Sequence, residues 1–308
     1  MLRTAFKWIY RLGLRKDYAR IDRLHYLKRL RRRRHPLDNK YYVSYDKEQF
    51  VAGEREREVC IADNFLGKRV VFLCDPSYHF DRKIIQQGFV GHPILDIMAA
   101  YVQPNSIVID VGANDGVYAV PLAAAHPNIW VHAFEPNPAV VERLNQNIRL
   151  NQLSNLLVHP VAVSETAGQA DFYQFDKDIS LSSLNRYAAE KCGSPQINRV
   201  QVETIDSVFA NRPERICFIK VDVQGAELKV FLGAKEVISS DRPVLLFEQE
   251  DVHFETAEAA HSQKMQIADF LSGHKYECFY ITRYDHRLMF PVDWSRPVNG
   301  DVLALPVV

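Results

Sequence analysis

Three carboxylates stand where chemistry needs them. Asp110 lies within a short β-branched apolar run, Ile107 to Val111, which reads as a strand buried on both faces of a parallel sheet. Gly112 follows at once and permits a tight turn with close backbone approach to a ligand. Apolar periodicity resumes at Val117, Val120 and Leu122 and predicts a helix. Strand, glycine turn and helix form the nucleotide-cofactor half of a doubly wound fold. Charge then selects the cofactor. A carboxylate at the mouth of the turn repels a pyrophosphate and attracts a sulfonium. The turn residues Gly112, Ala113, Asn114 and Gly116 give the spacing Gly-x-x-x-Gly, which misses the Gly-x-Gly-x-x-Gly phosphate fingerprint. The turn therefore favours S-adenosylmethionine over NAD.

The second carboxylate, Glu135, falls in Ala-Phe-Glu-Pro-Asn-Pro, residues 133–138, at the expected end of the next strand and 25 residues after Asp110. In a doubly wound fold an acidic residue there accepts hydrogen bonds from ribose hydroxyls. Pro136, the next residue, is expected beside Glu135 in the cofactor site. A simpler role for Glu135 is to cap the helix that begins near Pro138. The segment His159 to Ser164 ends a further strand, and its backbone at Ala162 is placed for an adenine edge.

The third carboxylate is Asp222, within Phe-Ile-Lys-Val-Asp-Val-Gln-Gly-Ala-Glu at 218–227. It emerges after a buried run, at the carboxyl end of the sheet where ligands bind. Near a sulfonium and an incoming hydroxyl, it would orient the acceptor or take its proton. Gly225 permits the turn, and Glu227 starts the following helix, where an anion is stabilised for structural reasons alone. His253, five residues beyond the strand ending at Glu248, is a second candidate base, with a plain surface-loop histidine as the alternative. The remaining histidines lack metal-ligand spacing, and no metal ligands are assigned. An oxygen-rich Mg²⁺ site on Asp222 and a neighbouring carboxylate is chemically open but unsupported by the sequence.

These groups need a frame. Strands are expected near 107–111, 129–134, 156–163, 216–221 and 243–248, with helical stretches between most of them, which argues for a parallel sheet with crossover helices. Lys68 to Leu73 reads as an earlier strand, and Pro93 to Tyr101 as a helix. A hairpin of Gln169 to Phe175 with Arg199 to Glu203 interrupts the alternation around a polar loop, Asp176 to Asn198. That loop carries Ser180, Ser182, Ser183, Asn185 and Arg186 and is the expected acceptor-binding segment. Tyr276 to Thr282 and Arg287 to Phe290 read as closing strands.

The formal net charge is zero, but it is unevenly spread. Residues 1–35 hold 13 Lys/Arg against Asp17 and Asp22, so a basic amphipathic arm precedes an acidic body. Such an arm can lie on an anionic membrane surface, bind a partner, or be merely solvated. Charge alone admits RNA, but no nucleic-acid motif accompanies it. The five cysteines are odd in number and form no Cys-x-x-Cys pair, so a reducing, cytoplasmic setting is expected. No apolar run reaches the roughly 20 residues needed to span a bilayer. The expected organisation is an arm at 1–36, accessory elements at 37–100 and a catalytic domain at 101–308.

Taken in order, IDVGANDG at 109–116, FEPNP at 134–138, the Asn145/Asn147 helix, VAVS at 161–164, VETIDSV at 202–208, IKVDVQGAELKVFLGA at 219–234 and RPVLLFE at 242–248 resemble the FkbM family of methyltransferases. The resemblance covers about residues 80–305. It implies an α/β class I methyltransferase (Rossmann-like) fold, with seven mostly parallel strands, one antiparallel, and helices on both faces. It also implies S-adenosylmethionine as methyl donor, and a hydroxyl of a sugar, glycan or related secondary product as acceptor. On these positions it assigns Asp110, Gly112 and Asn114 to the methionine end, Glu135 to the ribose, and Asp222 and Glu227 to the active-site edge. The family commonly carries Glu where this chain has Gln224, which can be neither a base nor a strong metal ligand. The basic arm lies outside the resemblance. Two rival readings remain at this level: a non-catalytic module docking to membrane or partner through the arm, and an NAD-dependent oxidoreductase, which the turn chemistry does not support.

Overall fold

The computed structural model describes residues 44–45, 59–65, 68–75, 81, 92–175, 182–281 and 289–307. The basic arm at 1–36 lies outside the described residues. In chain order the strands and helices are β1 (Ser44–Tyr45), β2 (Val59–Phe65), β3 (Lys68–Cys74), α1 (His92–Tyr101), β4 (Ser106–Val111), α2 (Ala119–Ala125), β5 (Trp130–Phe134), α3 (Pro138–Leu150), β6 (Leu156–His159), β7 (Ala162–Val163), β8 (Gly168–Gln174), α4 (Arg186–Cys192), β9 (Gln196–Glu203), α5 (Ile205–Val208), β10 (Arg215–Val221), α6 (Glu227–Leu232), α7 (Lys235–Asp241), β11 (Val244–Gln249), α8 (Ala257–Gly273), β12 (Tyr276–Ile281), β13 (Met289–Pro291) and β14 (Gly300–Pro306).

The central sheet runs β13-β12-β14-β11-β10-β4-β5-β6. From β11 to β6 every neighbouring pair is parallel, whereas β14 is antiparallel to both β11 and β12. The expected seven-stranded pattern with one antiparallel member is therefore present, and β13 adds a short eighth strand at the edge. The antiparallel member is β14, in a segment the periodicity left unassigned. Its Gly-Asp-Val-Leu-Ala-Leu-Pro sequence alternates poorly because both of its faces are covered.

Each strand of the sheet centre sends alternate side chains to opposite cores. Val108, Phe218 and Leu246 join one core with Leu95, Leu122 and Leu144 of α1, α2 and α3. Ile109, Ile219 and Phe247 join the other with Phe231, Ile238 and Leu271 of α6, α7 and α8. Sandwiching on both faces explains why these strands read as continuous apolar runs. The strand order reverses beside β4, which has β10 on one side and β5 on the other, so a crevice opens at their carboxyl ends.

Two smaller sheets flank this body. The expected stretch 156–163 divides. β6 stays in the central sheet, while β7 pairs in parallel with β9, which forms the expected hairpin with β8. The other small sheet, β1-β2-β3, belongs to the accessory region. Its β3 is not set apart from the body, because Val70, Phe72 and Cys74 share a core with α1 to α3. Asparagines of and just after α3 complete the junction. Asn151 exchanges hydrogen bonds with Val71 N and O, and Asn147 Oδ1 accepts from Leu73 N at 2.8 Å.

Candidate active site

A cavity of about 360 Å³ occupies the crevice at the carboxyl ends of β4, β5, β10 and β11. Its walls are stitched by backbone bonds between the strand ends. Gly112 N and Ala113 N both donate to Phe134 O at 3.0 Å, and Asp222 N donates to Val111 O at 3.0 Å. The turn requires glycine at position 112. Its φ is +75°, and a Cβ there would lie 2.0 Å from the Asp222 carbonyl oxygen. The β4 and β10 turns can touch only because that side chain is missing.

Glu135 lines the cavity and holds two turns together. Its Oε2 accepts from Asn114 N at 3.1 Å and its Oε1 from Asn137 N at 2.9 Å. The capping role belongs instead to Asn137, whose Oδ1 accepts from Ala139 N, with Pro138 at the first helical position. Burial pushes the Glu135 carboxyl up to about 7, against the opposing effect of its two backbone donors. Each carboxylate oxygen keeps a further lone pair for a donor in the cavity. Two vicinal hydroxyls match that acceptor set. Together with the cavity volume, it fits an adenosyl ribose and the remainder of S-adenosylmethionine.

Asp110 lies elsewhere than the sequence reading put it. It does not line the cavity but sits beneath the floor, with no exposed surface. The reason is register. Lys220 of β10 is paired in line with Asp110 of β4, so the two side chains project to the same face. Lys220 Nζ is 3.4 Å from Asp110 Oδ1 and 3.6 Å from Asp222 Oδ2, and lies 4.8 Å from the centre of the Tyr118 ring. Burial alone would lower the Lys220 pKa, but Asp110 and Asp222 more than offset it and hold the ammonium charged. Burial raises the Asp110 carboxyl, opposed by Lys220. Lys220 lines the cavity and was missed by motif reading. The available signal was a lysine inside an apolar strand, two residues before Asp222 and hence on its face.

Of the other expected residues, Gly112, Ala113, Asn114, Pro136, Ala162 and Asp222 line the cavity. Gly116 does not; a Cβ there would meet Leu144 and Val120, so this glycine serves helix packing. Glu227 is also withdrawn. Its Oε1 accepts from Val223 N at 3.3 Å and Gly225 N at 3.0 Å, and burial raises its carboxyl to about 7. That is the structural role at a helix start. His253 is buried just outside the lining, with its pKa lowered by burial, against the raising effect of Asp222. It is therefore not a surface-loop residue. Asp222 is a partly exposed carboxylate facing the cavity, its side chain 35% exposed.

The cavity also takes Ser182 and Ser183 of the expected acceptor-binding segment, together with Glu248 and Glu250, which were not among the expected site residues. Ser183 Oγ donates to Val223 O at 3.1 Å, so the loop from the β8–β9 hairpin is fastened to the β10 turn. Residues 176–181, including Ser180, lie outside the described residues. On the far side, Asp115 lines the cavity and is 3.4 Å from Arg143, which also pairs with Asp81 of the accessory region. Burial, reinforced by Asp81 and opposed by Arg143, puts the Asp115 carboxyl at about 6.

A doubly wound sheet with an inserted antiparallel strand, and a buried carboxylate facing a cavity at its switch point, defines a class I methyltransferase architecture. The chain belongs to the methyltransferase FkbM domain family, whose model matches residues 110–278, more than half of its length. Among its relatives, the 2-O-methyltransferase NoeI of Sinorhizobium fredii is 29% identical over 158 residues, covering 47% of this chain and 64% of that protein. The 31-O-demethyl-FK506 methyltransferase FkbM of Streptomyces tacrolimicus is 37% identical over 161 residues, covering 44% of this chain and 62% of its own length. The hexuronic acid methyltransferase AglP of Haloferax volcanii is 25% identical, covering 48% and 57%. The similarity thus spans less than two thirds of each of these relatives.

Proposed function

We propose that the protein transfers a methyl group from S-adenosylmethionine to a hydroxyl of a sugar, glycan or related hydroxylated product. The observation that carries this reading is one cavity faced by Glu135 on one side and by Asp222 on the other. S-adenosylmethionine, when bound, supplies an electrophilic methyl on a cationic sulfur. Glu135 would accept the ribose hydroxyls, and the Gly112 to Asn114 turn would border the methionine end. Asp222 would receive the acceptor's proton as the new carbon–oxygen bond forms. Lys220 fixes the orientation of Asp222 from beneath. Alignment of nucleophile, methyl and sulfur supplies most of the catalysis, up to about 7–11 kcal/mol.

The names of the relatives support oxygen as the acceptor atom, and one of them acts on a hexuronic acid. Ser182 and Ser183 on the cavity wall suit a hydroxylated acceptor. The test is a methyl-transfer screen with labelled S-adenosylmethionine against nucleotide sugars and lipid-linked glycans, beside calorimetric titration of the cofactor. Tight cofactor binding with turnover on at least one hydroxylated acceptor is expected. A protein that fails to bind S-adenosylmethionine overturns the reading. No described helix is long and apolar enough to cross a membrane. The finer reading, peripheral contact with anionic lipid through residues 1–35, is checked by vesicle co-sedimentation with and without that arm.

A further inference from the structure

Glu248, Glu250 and His253 meet beyond the carboxyl end of β11. Each offers one ligand atom, and these atoms all lie within 4.8 Å of one another. Glu248 and Glu250 are two residues apart on extended chain, so they project to one face. Both line the cavity. A single 3₁₀ turn, Asp251–His253, then folds the histidine back toward them. His253 is only 8% exposed, yet its ring makes no hydrogen bond among the described residues. Its Nε2 faces Glu250 Oε2 at 4.0 Å. That gap is too wide for a hydrogen bond. It lies within the upper limit of about 4.4 Å that bonds of about 2.0–2.2 Å set between two ligands of one ion.

Other residues hold this trio in place. Asn185 Nδ2 donates to His253 O at 3.0 Å and to Gln224 O at 3.3 Å. Gln224 Nε2 reaches Glu248 Oε2 at 3.4 Å and Asp222 Oδ1 at 3.2 Å. A Cβ on Gly225 would come within 2.8 Å of the His253 Cβ, so the bare glycine is what lets the histidine turn pack there. Outer partners of this kind orient metal ligands in built sites.

We propose that Glu248, Glu250 and His253 bind one divalent first-row cation whose remaining coordination positions open into the cavity. Two carboxylates with one imidazole suit Mn²⁺ or Zn²⁺ better than Mg²⁺ or Ca²⁺, which prefer all-oxygen shells. Three protein ligands with open positions are the pattern of catalytic rather than structural metal sites. The role of the ion rests on the methyl-transfer reading: an open position takes the oxygen of the acceptor hydroxyl and eases its deprotonation. The carbon–oxygen bond then forms as the carbon–sulfur bond breaks. The broken bond's electron pair stays on sulfur, and the hydroxyl proton passes to Asp222.

The test uses full-length protein freed of metal by chelation and titrated with Mn²⁺. Electron paramagnetic resonance follows loss of the free-ion signal, and S-adenosylmethionine affinity is measured on the same samples. One Mn²⁺ per chain is expected, with nitrogen modulation from a single imidazole in the pulsed spectrum. Glu248→Gln and His253→Gln are each expected to weaken Mn²⁺ binding at least tenfold, by analogy with the roughly 10–100-fold losses seen even for outer-shell changes. Their cofactor affinity should stay within about twofold of wild type, which also reports that they are folded. No Mn²⁺ uptake by wild type, uptake without nitrogen modulation, or folded variants that bind as tightly as wild type would overturn the site. Mn²⁺ uptake without any S-adenosylmethionine binding would instead overturn the methyl-transfer reading and leave the cation site standing.

Discussion

The two halves of the cavity are built on different principles. On the β4–β5 side, the carboxylates are buried and locked by the sheet itself: Glu135 by two backbone N–H groups and Asp110 by a lysine in register on the next strand. On the β10–β11 side, Asp222, Glu248 and Glu250 are partly exposed, and the ties to Asp222 and Glu248 run through side chains such as Gln224 and Lys220. The first half is held by backbone hydrogen bonds and strand register. The second depends on loops and turns that can vary without disturbing the sheet.

This contrast breaks most severely at Lys220, which pairs with Asp110 and lies beside Asp222. Lys220→Met leaves Asp110 as an uncompensated buried charge, and a loss of about 3–5 kcal/mol in folding stability is expected. Denaturant unfolding measures it, and Asp110→Asn in the same chain should recover part of the loss. A Lys220→Met protein as stable as wild type would mean that the pair is not what holds the floor.

Next in size is Asp222→Asn, which should leave the fold and S-adenosylmethionine affinity nearly unchanged while kcat falls about 10²–10⁴-fold. Matched titration and turnover assays separate the two quantities. A parallel loss of cofactor affinity would erase the distinction between the halves.

Smaller again is Glu135→Gln, expected to weaken cofactor binding by about 1.5–3 kcal/mol, the range for hydrogen bonds to a charged group. The effect should appear in Kd, with kcat at saturating cofactor little altered.

The mildest probe is pH. Burial puts the Glu135 carboxyl at about 7, and on the proposed role ribose hydroxyls would bind its ionised form. Ionised-form binding lowers the Glu135 pKa in the complex, so affinity falls as pH drops below about 7, by at most tenfold per unit, and is flat above it. Calorimetry from about pH 5.5 to about pH 8.5 should show the slope in wild type and lose it in Glu135→Gln.

Much of this was legible in the chain. The parallel strands from β4 to β11 announced themselves because burial on both faces demands apolar β-branched runs. The turns at Gly112 and Gly225 did so because backbone with φ of +75° and +92° favours glycine. The hairpin of β8 and β9 was visible from its alternation. What escaped was relational. β14 carries no strong pattern of its own and becomes a strand because β11 and β12 leave a slot between them. Asp110 looked like a rim carboxylate until its register with Lys220 put it under the floor. Glu227 looked catalytic until its oxygen was found on the amides of Val223 and Gly225. Glu248, Glu250 and His253 have no ligand spacing along the chain, since a strand end and a 3₁₀ turn bring them together.

The sequence by itself determined the class of fold, the crevice at the carboxyl ends of β4, β5 and β10, and the family, because glycine turns, buried strands and acidic strand ends are local requirements that residue types must satisfy. Only the tertiary structure decided which carboxylates face the cavity and which support it. That choice depends on strand register and on partners more than a hundred residues apart, such as Asp110 and Lys220, and a difference of one register position moves a side chain to the opposite face of the sheet.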